Sequence, residues 1–384
     1  MSKKYSIFIT VLFCAFIFGF GITHFILPDK DFSEQENRYL AQFKAPTADT
    51  LRSGKFMEDF ETYITDQFPL RDRWIQLKAL SERALGKQEN NGVYFGTDGH
   101  TLFAQFNRPS EQDLAQRVGF VNTLANNVDM TVYFSIIPDK SYVWADRLPA
   151  NAPNVDDGSV NEAAKALANE RLRYIDLYAS SVWDGSRDEW YGMDSFYRTD
   201  HHWSSIGAYH GYFALGTAMN GSARKIVITP EHMSGSFYGT TYSSSGASWV
   251  LPDDIYTIVP EGGFDGNITV TRYPEGAPID GTLYDLSKLE VKDKYAMFLG
   301  GNQPLCIIRN PDAQNGRLLV IRDSYSDSLA PFLALDYQEI HLFDLRYNNI
   351  SLKRYVEDNG IDQVLVLYSA SNFATDGNLF KLAY

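Results

Sequence analysis

LLVIRDSYSDSLAPFL, residues 318–333, is one of two segments that indicate the fold and chemistry of this chain. Its first four residues are apolar, which predicts a buried strand, and the segment after Ser324 has the spacing of a helix. A serine at a strand-to-helix turn is raised above the carboxyl edge of the sheet, and the N–H groups of the helix start would point at an oxyanion beside it. Such a serine is either a helix cap or a nucleophile.

Apolar strands and helical patterns alternate along most of the chain. The segment NGVYFGTDGHTLF, residues 91–103, predicts two short strands joined by a TDG turn. Helical patterns cover about 56–85, 110–127 and 160–173, and others follow Ser324 and Leu352. Buried strands are predicted at TVYFSIIP (131–138), YIDLY (174–178), YAMFLG (295–300), RLLVIRDS (317–324), EIHLFDL (339–345) and QVLVLYS (363–369). This alternation predicts an α/β domain with a mainly parallel sheet.

Residues 221–294 interrupt the alternation. The segment is rich in Gly, Ser, Thr, Asp and Tyr and has no long helical pattern, which predicts a small β-rich insertion. We therefore divide the chain into an N-terminal segment (1–27), a stalk with a helical region (28–90) and an α/β domain with its insertion (91–384).

The N-terminus carries a membrane signal. Lys3 and Lys4 precede an apolar run from Tyr5 to Leu27, which is long enough to cross a bilayer as one helix. The two lysines favour a cytoplasmic N-terminus. A cleaved signal peptide is the alternative, but GFGITHFILPD has no A-x-A cleavage pattern, which favours an uncleaved single-pass anchor in the cell membrane. In both cases the remaining chain is extracytoplasmic.

Composition excludes several classes of function. The formal net charge is −14, so the average field repels a nucleic-acid backbone and we expect no nucleic-acid partner. The two cysteines, Cys14 and Cys306, have no CxxC spacing, and no P-loop or convincing GxGxxG motif is present. We expect neither a metal nor another cofactor.

A second polar segment could serve Ser324. In YRTDHHW, residues 197–203, a dense polar and aromatic cluster precedes a helical pattern. A serine hydroxyl needs a base, usually an imidazole that a carboxylate orients, and chain order is not fixed across folds. Asp-x-His spacing lets Asp200 orient His202. Asp200, His202 and Ser324 therefore form a coherent candidate triad.

Other interpretations of the same residues stay open. A serine after a strand is often only a helix cap. An Asp-His-His run can be a loop of capping residues or a set of metal ligands. DHH also occurs in metal-dependent phosphoesterases, but those are cytosolic and need further carboxylate clusters after buried strands.

DHHW, followed by the serine of IRDSYSDS, resembles the bacterial DHHW protein family. That family is related to the alginate O-acetylation proteins AlgX and AlgJ, which have SGNH-hydrolase-like domains. Further segments similar to the family are FSEQENRYL (32–40), VYFGTDGHTLF (93–103), IIPDK (136–140), FLGGNQP (298–304) and DLRY (344–347). The resemblance covers nearly the whole chain after the apolar N-terminus.

This resemblance implies an SGNH-hydrolase-like α/β/α sandwich in which the Asp and His of the triad precede the Ser. It assigns Asp200, His202 and Ser324 to those roles. Where AlgX-like proteins have Gly and Thr before the nucleophile, this chain has Arg322 and Asp323. A carboxylate at 323 would oppose a developing oxyanion unless it turns away.

Two further candidates concern the oxyanion and the acyl group. Gly300 and Asn302, in GGNQP, could donate hydrogen bonds to the oxyanion, with a tight turn as the alternative. Arg346 could steady the acyl carbonyl or a carbohydrate, with a structural pair to Asp344 as the alternative.

Three aromatic candidates could contact the substrate. Trp203 could be a platform for a sugar ring, with a place in the core as the alternative. Tyr325 and His201 could line the pocket.

By resemblance, the leading hypothesis is an O-acetyltransferase that acts on a cell-surface or secreted polysaccharide through an acyl-serine. Such proteins work with a membrane-bound O-acyltransferase that exports the acyl group. A carbohydrate O-acetyl esterase and a non-catalytic polysaccharide-binding or assembly module are the alternatives.

Overall fold

The computed structural model describes residues 3–33, 35–36, 38–153, 157–179, 183, 194–222, 228–261, 263–264 and 266–384. Parts of the predicted stalk (34 and 37) and of the predicted insertion (223–227, 262 and 265) lie outside these residues. The chain forms two compact units, one of Met1–Asn91 with Ser243–Ser248, and one of Gly92–Tyr242 with Trp249–Tyr384. The predicted domain boundaries stay predictions.

The described α-helices are α1 Lys3–Ile26, α2 Ala48–Ser53, α3 Lys55–Asp66, α4 Arg71–Ala84, α5 Glu111–Asn127, α6 Lys140–Val143, α7 Gly158–Leu167, α8 Ser205–Asn220, α9 Thr240–Ser245, α10 Ser326–Leu333, α11 Leu352–Asn359 and α12 Ala370–Thr375. Short 3-10 helices are Ala145–Arg147, Leu286–Glu290, Lys294–Met297 and Leu379–Ala383.

The described strands are β1 Phe32–Ser33, β2 Arg38–Tyr39, β3 Glu89–Asn90, β4 Val93–Phe95, β5 Leu102–Ala104, β6 Thr131–Ile137, β7 Leu172–Tyr174, β8 Ile228–Phe237, β9 Asp253–Pro260, β10 Thr269–Tyr273, β11 Ile279–Gly281, β12 Leu305–Arg309, β13 Asn315–Arg322, β14 Tyr337–Phe343 and β15 Gln363–Ser369.

An eight-stranded sheet forms the centre of the second unit, in the order β11-β10-β12-β14-β13-β15-β6-β7. The five strands from β14 to β7 are parallel to one another. Strands β12, β10 and β11 continue the sheet with antiparallel pairs. Strand β13 lies between β14 and β15, so the residues that follow it emerge at the carboxyl edge of a buried strand.

Helices cover both faces of this sheet because the side chains of its central strands alternate between two apolar clusters. Leu318 and Val320 of β13 pack with buried residues of α8 and α10, whereas Leu319 and Ile321 pack with those of α5 and α11. All four side chains are fully buried. Strands that are buried on both faces read as continuous apolar runs, which is why 318–321 predicted a central strand. The predicted α/β/α sandwich with a mainly parallel sheet is confirmed.

Several local predictions are confirmed and several are wrong. The hairpin at 91–103 is present, since β4 and β5 pair antiparallel on either side of the TDG turn. The predicted strand at 174–178 is wrong because the paired residues are Leu172–Tyr174. The strand predicted at 295–300 is also wrong: Lys294–Met297 is a 3-10 helix. An apolar run of this length does not distinguish a strand from a buried helical turn.

The predicted insertion at 221–294 is only partly separate from the sheet. Strands β8 and β9 form their own antiparallel ribbon, as a β-rich insertion would. Strands β10 and β11, however, pair onto the edge of the large sheet through β12. Glycine and aspartate in this segment suggested turns, but pattern alone does not show which strand a given segment will pair with.

Among the residues that the structure describes, one helix, α1 in the first unit, is long and apolar enough to cross a membrane. Its length and composition fit a membrane anchor and a signal sequence equally.

Candidate active site

Ser324 lies two residues after the last residue of β13 and two before the first residue of α10, at the predicted strand-to-helix turn. The turn is closed by the Ser326 N–H donating to the Asp323 carbonyl (3.2 Å) and the Asp327 N–H donating to the Ser324 carbonyl (3.2 Å). Only 9% of Ser324 is exposed, so its hydroxyl sits at the rim of the core.

Folding brings this serine to a histidine 122 residues earlier in the chain. The Ser324 Oγ lies 2.7 Å from Nε2 of His202, and Nδ1 of the same ring lies 2.5 Å from Oδ1 of Asp200. The His202 N–H also donates to Asp200 Oδ1 at 2.9 Å. The Asp-x-His spacing therefore folds into a tight turn in which one carboxylate oxygen receives both the backbone and the ring N–H. With Nδ1 donating, Nε2 is the acceptor that faces the hydroxyl.

The second oxygen of Asp200 is held by the start of α9. Thr240 donates to Oδ2 through its N–H (2.7 Å) and its hydroxyl (3.0 Å). Burial raises the pKa of Asp200, but the adjacent His201 and His202 and the hydrogen bonds that the carboxylate accepts outweigh burial and hold the pKa well below its usual value. Asp200 is therefore an anion whose two oxygens are fully partnered.

Gly239 is required by the close approach of the chain to Asp200. A Cβ atom at position 239 would collide with the Cβ and Oδ2 of Asp200. The Gly239 N–H donates to the Thr199 hydroxyl at 3.2 Å, which fixes the same segment from the other side. This glycine allows the backbone of 239–240 to reach the carboxylate.

His201 makes its side-chain hydrogen bond to Thr240. Its Nδ1 lies 2.5 Å from the Thr240 hydroxyl. Because that hydroxyl has one proton and directs it to Asp200, Nδ1 of His201 is the donor. Burial and the neighbouring His202 lower the pKa of His201 to about 3, so the ring is neutral near pH 7.

A buried lysine holds the backbone that carries Asp200. The Lys140 ammonium donates to the carbonyls of Tyr197 (3.0 Å), Arg198 (3.1 Å) and Asp200 (2.6 Å). Burial lowers the pKa of Lys140 to about 8, and the nearby carboxylates, Asp253 first, oppose that shift. At neutral pH all three ammonium protons are thus directed at carbonyls of the short segment 197–200.

The ring of Tyr295 lies flat against His202. The two ring centroids are 3.8 Å apart and their planes differ by 7°. The Tyr295 hydroxyl donates to the Ser324 carbonyl (3.1 Å) or to Ser328 Oγ (3.0 Å). One side chain therefore supports both the plane of the imidazole and the turn that carries the serine.

Asp323 turns away from the Ser324 hydroxyl. Its Oδ2 accepts from the Ser369 N–H (2.8 Å), the Ser369 hydroxyl (2.7 Å) and the Asn372 amide (2.8 Å), and its Oδ1 accepts from the Tyr325 N–H (3.1 Å). The carboxylate thus ties the end of β13 to the end of β15. We expected a carboxylate at position 323 to oppose a developing oxyanion unless it turned away, and it does turn away.

The helix start is less available to an oxyanion than its position suggests. The N–H groups of Tyr325, Ser326 and Asp327 already have acceptors in Asp323 and Ser324. Nearby, the fully buried Arg322 donates to Oδ1 of Asn302 (2.7 Å) and pairs with Asp327 (3.0 Å). Because Oδ1 of Asn302 accepts the hydrogen bond from Arg322, the Nδ2 protons of the same amide point away from Arg322.

Gly300 adopts the tight turn that was the alternative to an oxyanion role. Leu299, Gly300 and Gly301 all have positive φ, at 58°, 76° and 90°. A Cβ at position 300 would collide with the guanidinium of Arg272. Packing and backbone geometry thus account for this glycine.

Arg346 forms the structural pair with Asp344 that was the alternative to a role in binding the acyl group or a carbohydrate. Its Nε and Nη2 hold both oxygens of Asp344, with Nη2 at 2.7 Å from Oδ2. The hydrogen bonds that Arg346 donates to this carboxylate raise the pKa of its guanidinium above the usual value. The guanidinium is therefore paired, although a third of the side chain is exposed.

Trp203 is a core residue, and the prediction of a sugar platform is wrong. The side chain is fully buried, and its indole N–H donates to the Tyr325 carbonyl (2.9 Å) or Ser328 Oγ (2.9 Å). Packing Trp203 against α8 requires small residues there, since a Cβ at Gly211 would meet the indole ring.

Tyr325 and His201 line one small pocket of about 50 Å³, together with Asp139, Ser371 and Asn372. This volume holds one or two water molecules or a small group, but not a sugar ring. A larger pocket of about 230 Å³ is lined by Asp253, Tyr256 and their neighbours, and the lining of neither pocket includes Asp200, His202 or Ser324.

Asp200, His201 and His202 also present ligand atoms within 4.8 Å of one another, a spacing that a metal ion would accept. Both nitrogens of His202 and Nδ1 of His201 are already hydrogen-bonded, so a bound metal would displace at least one of these contacts. The geometry fits a hydrogen-bonded triad better than a ligand set. That no metal is needed stays a prediction.

Four supporting residues were not assigned a role from the sequence: Lys140, Gly239, Thr240 and Tyr295. A lysine directly after a buried strand is an available signal for Lys140, because a buried cation must find acceptors. For the others, the signal was absent: Gly239 and Thr240 lie in the predicted insertion and Tyr295 in a segment taken for a strand.

Solved structures of similar fold support this architecture. A DHHW family protein from Eubacterium siraeum is 20% identical, with 77% of this chain and 95% of that chain covered and a TM-score of 0.62. Bacillus cereus PatB1, solved with a sulfonyl adduct, is 21% identical, with 77% and 100% covered and a TM-score of 0.65. A second PatB1 structure gives a TM-score of 0.60 at 21% identity, with 76% and 99% covered. These likenesses confirm the SGNH-hydrolase-like fold.

Among curated protein sequences none matches this chain significantly. The sequence profile of the DHHW protein family matches residues 91–343, which include all of the candidate triad. From this match, the chain belongs to the DHHW protein family.

Proposed function

We propose that this protein is a serine O-acetyltransferase that acts on a cell-surface or secreted polysaccharide through an acyl-serine intermediate. The observation that carries the proposal is the chain of two short contacts from Asp200 through His202 to the Ser324 hydroxyl, at 2.5 and 2.7 Å. A hydroxyl, an imidazole and an oriented carboxylate in this order are the parts that nucleophilic acyl transfer requires.

In the first half-reaction, Ser324 Oγ attacks the acyl carbonyl while Nε2 of His202 takes the hydroxyl proton. The bond between the acyl carbon and the donor's leaving group breaks, and His202 returns the proton to that group. Asp200 stays ionised throughout, which stabilises the imidazolium and keeps Nδ1 protonated.

In the second half-reaction, a sugar hydroxyl attacks the acyl-serine and His202 takes its proton. The bond between the acyl carbon and Ser324 Oγ then breaks, and the proton passes from His202 to Oγ. The same steps with water in place of the sugar would make the protein an esterase.

Two neighbouring features support a small acyl group and an oxyanion. The pocket beside His201 and Tyr325 has the volume for an acetyl group. The Asn302 amide, with its oxygen held by Arg322, is the donor we assign to the oxyanion, because the first helical N–H groups are engaged.

We propose that the catalytic unit lies outside the cytoplasm, with α1 as a single-pass anchor behind Lys3 and Lys4. An extracytoplasmic enzyme needs an acyl donor there, so we propose a membrane-bound O-acyltransferase as the partner that supplies it. The basis is the apolar length of α1 and the family resemblance.

The decisive experiment is covalent labelling with a sulfonyl fluoride followed by peptide mass analysis. A sulfonyl adduct forms when a nucleophile displaces the leaving group at sulfur, and one is present in the PatB1 structure. We expect the label on the peptide that contains Ser324, no label in Ser324→Ala, and slow labelling in His202→Gln. Ser326→Ala, two residues further on, is the matched control and should label like the wild type.

Transfer is then separated from hydrolysis with an aryl acetate as donor and oligosaccharides as acceptors. Acetyl groups on the sugar support the transferase, whereas acetate release that the sugar does not change supports the esterase. Normal turnover in Ser324→Ala would contradict both.

A further inference from the structure

Helix α4 of the first unit presents a stripe of exposed apolar side chains. Trp74 and Leu77 are three residues apart and lie on one side of the helix, and Leu70 and Leu85 add apolar side chains at its N-cap and C-cap positions. The exposed fractions are 65% for Leu70, 37% for Trp74, 54% for Leu77 and 87% for Leu85. Contiguous apolar surface of this kind marks an interaction site.

Basic side chains flank this stripe. Arg73 precedes Trp74 by one residue and Lys78 follows Leu77 by one, which places them on opposite sides of the stripe at about 100° per residue. The helix has four basic and two acidic residues, although the whole chain has a net charge of −14. An apolar stripe between cationic edges fits an anionic bilayer surface, with acyl chains under the stripe and headgroups beside the cations.

The stripe is continuous with the candidate anchor α1. The Trp74 ring lies against Phe20 (centroids 5.6 Å apart) and Phe16 (6.2 Å) of α1. Phe68, just before α4, stacks on Phe20 at 5.5 Å with planes 6° apart. These ring contacts hold the start of α4 beside residues 16–20 of α1.

The position along α1 sets the depth of this contact. A span that begins at Tyr5 reaches the roughly 30 Å thickness of the hydrocarbon core at about residue 25. Phe20 is then roughly 8 Å and Phe16 roughly 14 Å inside the outer boundary, so the Trp74 ring beside them lies near the deep limit of the 5–10 Å to which interfacial helices bury their apolar face. Tryptophan is also the side chain that favours this boundary.

We propose that α4 is an interfacial helix that binds the anionic outer surface of the bilayer through its apolar stripe, beside the point where α1 leaves the membrane. This proposal requires that α1 remains attached. It is independent of the acyl-transfer chemistry, which uses residues of the second unit. A bilayer-bound α4 would give the protein a two-element attachment to the membrane.

The test places an environment-sensitive fluorophore at Leu77→Cys in the full chain with Cys14→Ser, leaving the fully buried Cys306 unchanged. The protein is reconstituted in vesicles of phosphatidylcholine and phosphatidylglycerol that contain spin-labelled lipid. We expect quenching at position 77 about threefold stronger than at Arg83→Cys, an exposed control on the other side of the same helix. Spin labels near the headgroup should quench more than labels near the chain ends.

Charge gives the second arm of the test. Arg73→Gln with Lys78→Gln should reduce the quenching at 77 in the anionic vesicles and leave it unchanged in vesicles of phosphatidylcholine alone. If the protein floats with the vesicles but the fluorophore at position 77 is not quenched, the proposal is overturned. The proposal is also overturned if the fluorophore at position 77 is shielded in the absence of lipid and the shielding increases with protein concentration. A second copy of the chain would then cover the stripe.

Discussion

The imidazole of His202 lies parallel to the phenol ring of Tyr295, with centroids 3.8 Å apart and planes within 7°. The hydroxyl of the same tyrosine reaches the carbonyl of Ser324 at 3.1 Å. Both ends of the candidate nucleophile–base contact therefore depend on one buried side chain. It holds the ring plane by stacking and the serine turn by a hydrogen bond.

The first prediction follows from this division of roles. Tyr295→Phe keeps the stacking and loses only the hydroxyl contacts, so we expect kcat within about threefold of the wild type. Tyr295→Leu removes the flat support of the ring, and we expect kcat to fall about 10- to 100-fold with KM little changed, because misplacing a base costs the transition state. Steady-state kinetics with an aryl acetate measure both. Equal losses in the two variants would show that the hydroxyl, rather than the ring, matters.

A second prediction concerns Gly239. Gly239→Ala puts a methyl group into the space of the Asp200 side chain, so the carboxylate must move away from His202. We expect a fall in activity that approaches the roughly 10⁴-fold loss reported by Asp-to-Asn changes in such triads. The matched control is Gly119→Ala in α5, where a Cβ meets no neighbouring atom within 4 Å. The control should keep full activity and gain slightly in stability. An active Gly239→Ala protein would show that Asp200 tolerates displacement.

The sequence predicted the arrangement of the fold better than the support of the site. Strand β13 was identifiable because four apolar residues precede a polar turn. That turn alone places Ser324 between the end of the strand and the start of the next helix. Asp200 and His202 were identifiable because their spacing of two brings carboxylate and ring together locally. Gly239 and Thr240 lie in a segment with no periodic pattern, and Tyr295 lies in an apolar run that predicted a strand. All three reach the site through tertiary packing, so no local signal marks them.

The same distinction explains why some candidates took structural roles. An arginine two residues after an aspartate, as in Asp344 and Arg346, can form an ion pair within its own turn, and it does so here. Trp203 adjoins the DHH run in sequence, yet it lies two residues before the first residue of α8 and is fully buried in the core. Proximity in sequence to a functional residue does not decide the direction of a side chain.

Lys140 provides the third prediction. Lys140→Met leaves the carbonyls of Tyr197, Arg198 and Asp200 without their donor in a buried site, so we expect the free energy of unfolding to fall by about 3 kcal/mol or more. Activity of the molecules that remain folded should also fall, because Asp200 loses its backbone support. Urea unfolding and kinetics below the transition measure the two effects. Lys165→Met, at an exposed position of α7, should change neither by much.

The fourth prediction separates the charge of Asp323 from its structural role. Asp323→Asn weakens the acceptor for Ser369 and Asn372, so we expect a loss of roughly 2–3 kcal/mol of stability. Because the carboxylate faces away from Ser324 Oγ, removing its charge should not raise kcat. Faster turnover in Asp323→Asn would show instead that the carboxylate opposes the oxyanion.

The last prediction is a pH dependence at Asp139, whose carboxyl lies 2.5 Å from the Ser371 hydroxyl. Burial, with the adjacent Asp157, raises the pKa of Asp139 to about 7 from 3.8. The folded state therefore binds more protons than the unfolded state between these values, and the stabilising contribution of the protonated group is lost as pH rises through this window. Asp139→Asn cannot ionise, so its stability relative to the wild type should increase from pH 3.8 to about 7, by at most about 1.4 kcal/mol per pH unit, and level off above it.

Urea unfolding of both proteins across this range measures the difference. A difference that stays constant with pH would mean that Asp139 is already ionised in the folded protein, and a charge in the pocket that it lines with His201 and Tyr325 would argue against the acetyl site proposed there.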